Sequence, residues 1–84
     1  MIKILYFSSY REMLDCENEE IELPEDSMTI SKLMQLLAER GDQWQVIFAG
    51  QLPVLAAINQ EIVNADAIIN NHDEIGFFPP VSGG

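Results

Sequence analysis

Residues 29–41 read Thr-Ile-Ser-Lys-Leu-Met-Gln-Leu-Leu-Ala-Glu-Arg-Gly, the longest helical pattern in the chain. Ile30, Leu33, Met34 and Leu37 recur at i, i+3, i+4 and i+7, which gathers them into one buried stripe. Thr29 is placed to cap the first turn, although Lys32 three residues on leaves no capping box. Arg40 suits the negative end of the helix dipole, and Gly41 suits a left-handed terminus. A helix with one apolar stripe needs a second layer to cover it, and the flanking segments supply strands.

Before the helix, residues 2–7, Ile-Lys-Ile-Leu-Tyr-Phe, hold one charge among five apolar residues and read as an interior strand. Ser9 is positioned to cap a short helical turn through Leu14, with Tyr10, Met13 and Leu14 on one face. Residues 20–23, Glu-Ile-Glu-Leu, alternate as a strand with one wet face does, and Pro24 opens a polar connection over 24–28. After the helix, Trp44, Ile47 and Phe48 mark a shorter second helix closed by Gly50. Residues 54–59 read as a buried strand, which Asn59-Gln60 turns into a short strand around Ile62-Val63. The turn formers 70–73 precede a last strand, Glu74 to Phe78, stopped by Pro79-Pro80. On that strand Ile75 and Phe77 are expected to face the core and Gly76 and Phe78 the other side, the alternative being that both aromatics are buried.

The order strand, strand, helix, strand, strand, strand, with a crossover helix, implies a mixed sheet with one main helix packed across it. This is an α+β roll of the ubiquitin-like, or β-grasp, kind. The 84 residues suit one domain, read as a body over 1–78 and an extended C-terminal tail over 79–84. With 14 acidic against 4 basic residues, the net charge of −10 would repel phosphate backbones and anionic lipid. Nucleic acid and membrane surfaces are therefore not expected partners, while basic protein surfaces are. Acidity that serves solubility alone is the plainer reading. The single cysteine, Cys16, excludes a disulfide framework and suits a reducing compartment. No export or membrane-spanning segment opens the chain, so a cytoplasmic location is expected.

Enzymatic constellations are nearly absent. His72 is the one histidine and lies in a turn cluster, with no second metal ligand at a useful spacing. Cys16 stands between Asp15 and Glu17, whose charge disfavours a thiolate nucleophile. The glycines at 41, 50, 76, 83 and 84 form no phosphate-cradling loop. What remains is the end of the chain, Phe77-Phe78-Pro79-Pro80-Val81-Ser82-Gly83-Gly84. Two prolines stiffen it and two residues without a Cβ finish it, a shape suited to presenting a carboxylate inside a narrow tunnel. A bare diglycine can also be a frayed terminus. The preceding strand and Pro-Pro segment favour the presented carboxylate.

This terminal octet closely resembles that of the small, sulfur-carrying subunits of molybdopterin synthase. The resemblance runs along the whole chain. Tyr10-Arg11-Glu12-Met13-Leu14 looks like the family's RE-x-L turn. Leu55-Ala56-Ala57-Ile58-Asn59-Gln60-Glu61 is similar to its A-V-N-Q-E strand and turn, and Asp73-Glu74-Ile75-Gly76-Phe77-Phe78 to its D-E-V-A-F-F ending. The chain departs from the family at His72, where a glycine is common, and near Cys16, where many members carry one.

The resemblance implies a mechanism. No cofactor is bound permanently. A ubiquitin-activating-enzyme-like adenylyltransferase uses ATP to adenylate Gly84, and sulfur transfer makes a thiocarboxylate there. Gly83 gives the tail access, and Phe78, Pro79, Pro80, Val81, Ser82 and Arg11 would meet the partners. The tail then enters the large catalytic subunit, in a heterotetramer with two copies of each, and gives sulfur to cyclic pyranopterin monophosphate to form the molybdopterin dithiolene. The chain would thus be the non-catalytic, sulfur-donating subunit, with the catalytic pocket on its partner. A thiamine-pathway sulfur carrier and a ubiquitin-like modifier of lysines share the fold and the diglycine end, and a plain interaction domain with a frayed tail stands as a further alternative.

Overall fold

A computed structural model describes residues 1–50 and 52–80. The chain runs β1 (Ile2–Tyr6), α1 (Ser9–Leu14), β2 (Asn18–Ile21), β3 (Ser27–Thr29), α2 (Ile30–Ala38), α3 (Asp42–Phe48), β4 (Leu55–Ile58), β5 (Glu61–Val63), β6 (Ile68–Asn70) and β7 (Glu74–Phe78). Five strands form one sheet in the order β2-β1-β7-β4-β5, in which β1 and β7 run parallel and every other neighbouring pair is antiparallel. The mixed sheet and its crossing helix are the β-grasp roll expected from the pattern.

Helix α2 forms where its stripe predicts. Thr29 accepts from the Lys32 amide at 3.1 Å, and the next free amides, Ile30 and Ser31, donate to the Ala67 and Ala65 carbonyls at 3.0 Å each. Ile30, Leu33 and Leu37 are fully buried against Ile2, Ile4 and Tyr6 of β1 and Ile75 and Phe77 of β7. Aromatic rings close the core at the α3 end. Tyr6 stacks on Phe77 at 6.3 Å, and Phe48 meets Phe77 edge-on at 5.1 Å.

Several local expectations are corrected. Gly41 does not end α2 in a left-handed conformation. The helix closes two residues earlier through short-range bonds, Glu39 to Leu36 and Arg40 to Leu37, and Gly41, with φ of 158° and ψ of −174°, begins α3 instead. Arg40 therefore lies beyond the last turn, where its guanidinium meets Glu19 at 2.7 Å and covers the Trp44 ring at 4.7 Å. The strand placed at 20–23 sits two residues earlier, and the connection placed at 24–28 contains the start of β3, which pairs with β6 in a separate two-stranded sheet. Ser9 is the first residue of α1 rather than its cap. On α1 only Tyr10 is buried; Leu14 is half-buried and Met13 exposed.

The turns keep their expected shapes with unusual residues. Asn59 and Gln60 both take positive φ, 51° and 72°, as a tight hairpin turn with the strand twist demands. His72 takes φ of 75° and its amide donates to the Met1 carbonyl at 2.8 Å, so the turn is retained without glycine. Asp15 takes the left-handed position after α1, with φ of 50° and ψ of 42°.

Candidate functional site

Strand β7 lies at the centre of the sheet between β1 and β4, with Tyr6 opposite Phe77 and Leu55 opposite Phe78. The Phe7 amide donates to the Phe77 carbonyl at 3.1 Å, the last ladder bond on the β1 side. Pro79 and Pro80 follow, and neither has an N–H with which to continue the ladder. The root of the tail is therefore fixed at Phe77 by β1 and at Phe78 by β4. Val81, Ser82, Gly83 and Gly84 lie outside the described residues.

Alternation on β7 sorts its side chains as expected. Ile75 and Phe77 are 0 % exposed and face the core, whereas Gly76 and Phe78 face outward. Phe78 is half-buried by an edge-on contact with Phe7 at 6.5 Å, and Phe7 itself is 42 % exposed. The Phe7 ring lies over Gly76, where an added Cβ would stand 2.9 Å from Cε2. Gly76 is thus the floor of an aromatic-covered patch. Leu5 and Ala57 flank Gly76 in register, and Leu55 flanks Phe78. Sequence reading missed Phe7, Leu5, Leu55 and Ala57 as members of this face. The signal was available: Ile2, Ile4 and Tyr6 fill the core side of β1, so Leu5 and Phe7 belong to the opposite side.

Arg11 projects from α1 into solvent, and among the described residues its guanidinium makes no ion pair. Phe78, Pro79 and Pro80 are brought together at the tail root, with α1 packed beside β7. Cys16 is half-buried, its Sγ 3.6 Å from the Asn18 carbonyl. Burial first, and then the Glu19 charge, push its thiol up; Asp15 adds less. The thiol is thus held protonated, chiefly by burial and Glu19 rather than by its sequence neighbours. Behind it, the buried Tyr6 hydroxyl donates to Glu19 at 2.8 Å. Burial alone would raise the Glu19 carboxyl, but hydrogen bonds from Arg40 and Tyr6 outweigh it and hold the group below its ordinary value. Through Arg40, in the turn between α2 and α3, this cluster ties β1 and β2 to Trp44 of α3.

A β-grasp body whose last, central strand runs out through two prolines beside an apolar sheet face defines the class of ubiquitin-like carrier proteins. The chain belongs to the ThiS family, matched over residues 4–84, and within it to the molybdopterin synthase sulfur carrier subunits. It is 39% identical to the Escherichia coli molybdopterin synthase sulfur carrier subunit, with 100% of each chain covered. A putative molybdopterin converting factor subunit 1 from Pyrococcus furiosus superposes with a TM-score of 0.76 at 27% identity, covering 95% of this chain and 97% of that one. A Helicobacter pylori complex of subunits 1 and 2 of molybdopterin-converting factor contains a chain that superposes at 0.67 and 21% identity, covering 99% and 97%.

Proposed function

We propose that this sulfur carrier works through the carboxylate of Gly84. A carboxylate is inert toward sulfur until it is activated. Attack of its oxygen on the α-phosphorus of ATP, in an adenylyltransferase of the ubiquitin-activating type, releases pyrophosphate and leaves an acyl adenylate. A sulfide-level donor then displaces AMP and leaves the thiocarboxylate. The tail, residues 79–84, next enters the large synthase subunit, where the sulfur passes to cyclic pyranopterin monophosphate and water returns the carboxylate. Two carriers and two large subunits would form the assembly. The Helicobacter pylori neighbour, a complex of two subunits, supports a large-subunit partner. No helix among the described residues is long and apolar enough to cross a membrane.

The observation that carries this reading is the fixed tail root: β7 is held by β1 up to Phe77 and by β4 up to Phe78, and the prolines leave the sheet next to an exposed apolar face. That face, with Phe7 and Phe78 at its centre, is the surface on which both the activating enzyme and the large subunit would seat. Arg11 would supply a charged contact beside it.

Co-expression with the activating enzyme and a sulfur donor should raise the intact mass by the replacement of one oxygen with sulfur. A single oxidation adds nearly the same mass, so fragmentation must place the change on Gly84. Deleting Gly84 draws the carboxylate back by about 3.3–3.6 Å. An error of about 1 Å can already cost ~100-fold in a positioned reaction, so this variant should not be thiocarboxylated. A bulky residue at Gly83 should have the same effect with the fold intact. Normal thiocarboxylation of either variant would rule the proposal out.

A further inference from the structure

On the helix side of the tail root lies a second apolar surface, separate from the Phe7–Phe78 face. Tyr10 and Met13 of α1, Val46 of α3, Leu52, Pro79 and Pro80 line a groove of about 170 Å³. Its rim exposes large apolar side chains that the fold does not need: Val46 is 61 % and Leu52 76 % exposed. Among the exposed large hydrophobics, Met13, Val46 and Leu52 gather here, whereas Ile62 lies on the sheet face opposite Ala57. An apolar pocket of about 150 Å³ is enough to hold a benzene-sized group, so the groove has room for one aromatic or branched aliphatic side chain.

We infer that this groove receives a single large apolar side chain standing beside the mouth of the tail-binding tunnel on the large synthase subunit. The inference rests on the function proposed above. Continuity argues for it: two of the groove's walls, Pro79 and Pro80, are the first residues of the tail. A protein that encloses the tail must therefore pass over the groove or leave its apolar walls wet. The sheet face with Phe78 lies on one side of the tail root and this groove on the other. A partner gripping both would hold the tail axis from two sides and fix the depth to which Gly84 enters. An aromatic or leucine side chain would supply that grip by burying the exposed Val46 and Leu52 surfaces.

The test is the Val46→Ser/Leu52→Ser double variant in the full-length chain, with Val46→Ile/Leu52→Met as its apolar counterpart. Both positions are largely exposed, so the melting temperature should stay near wild type. Calorimetric titration against the purified cognate large subunit should show the serine variant's Kd raised about tenfold or more, with the apolar variant near wild type. Thiocarboxylation of Gly84 by the activating enzyme should be retained in both. An unchanged Kd for the serine variant, in an assay where Phe78→Ala weakens binding, would overturn the groove while leaving the carrier function standing. Loss of thiocarboxylation with unchanged binding would give the groove to the activating enzyme and overturn the inference. A wild-type chain that does not bind the large subunit at all would sink both the groove and the proposed function.

Discussion

Phe77 and Phe78 are adjacent in the chain, but the pleat sends their rings to opposite faces of the sheet. Phe77 is 0 % exposed and packs between Tyr6 and Phe48, so truncating it empties a ring-sized volume in a close-packed core. Phe77→Ala should cost about 3–5 kcal/mol. Phe78 is half-buried, with its ring edge-on to Phe7, and Phe78→Ala should cost about 1 kcal/mol, the scale of one aromatic pair. The binding ranking should be the reverse, with Phe78→Ala weakening partner affinity more at matched folded fraction; melting curves and titrations on the two variants decide it. Ser8 is a second single-residue case. It takes φ of 55° and ψ of −133°, a region that favours glycine, while the Phe7 carbonyl accepts from Tyr10 across the turn at 3.2 Å. Ser8→Gly should therefore stabilise the chain by relieving about 1 kcal/mol of strain, read as a rise in melting temperature. A fall would mean that Ser8 is better placed than its backbone angles imply.

Elements with a long or strongly periodic pattern are legible in the sequence alone, and short ones are not. Helix α2 carries four stripe residues, and β1 and β7 carry runs of apolar residues; all three form where the pattern placed them. β3 and β6 hold three residues each, too few for alternation to register. Their buried members, Met28 and Ile69, each sit beside a residue that points to solvent or lies partly open. Gly41 misled because a glycine after a helix signals termination equally well whether it ends that helix or begins the next. The tail root was legible because two prolines after an apolar strand leave few options. The face around Phe7 was not, because Phe7 was read as the end of a strand run rather than as the cover of Gly76. The Tyr6–Glu19–Arg40 cluster was also invisible, since its members come from β1, β2 and the turn between α2 and α3. It carries its own prediction. The Glu19 carboxyl is held below its ordinary value of 4.5 in the fold, so its contribution is present above that value and is lost as the pH falls through the lower folded value. Glu19→Gln should lower stability most near neutral pH. The gap from wild type should narrow below about pH 4.5 in denaturant titrations run across pH. A gap that is constant with pH would show that the pair contributes packing and no charge linkage.

At the scale of the whole molecule the dominant property is a net charge of −10 on 84 residues. Arg40 is already engaged with Glu19, which leaves Lys3, Arg11 and Lys32 as cations without an ion pair among the described residues. Such a body is drawn toward basic surfaces. On the function proposed above, the tail would enter two pockets that bind anions, one ATP and the other a phosphorylated pterin, and basic linings are expected there. Attraction of this kind acts during approach and is screened over about 10 Å at 0.1 M salt. On this proposal it governs the association rate, while apolar contacts made through Phe7 and Phe78 would resist separation at any ionic strength. Stopped-flow association with the large subunit should slow steadily as salt rises from low to physiological levels, with the dissociation rate changing much less. The Phe78→Ala variant should show the opposite partition, with faster dissociation and an unchanged salt slope. An on-rate indifferent to salt would mean that the acidic surface keeps the carrier soluble and has no part in bringing the tail to its partner.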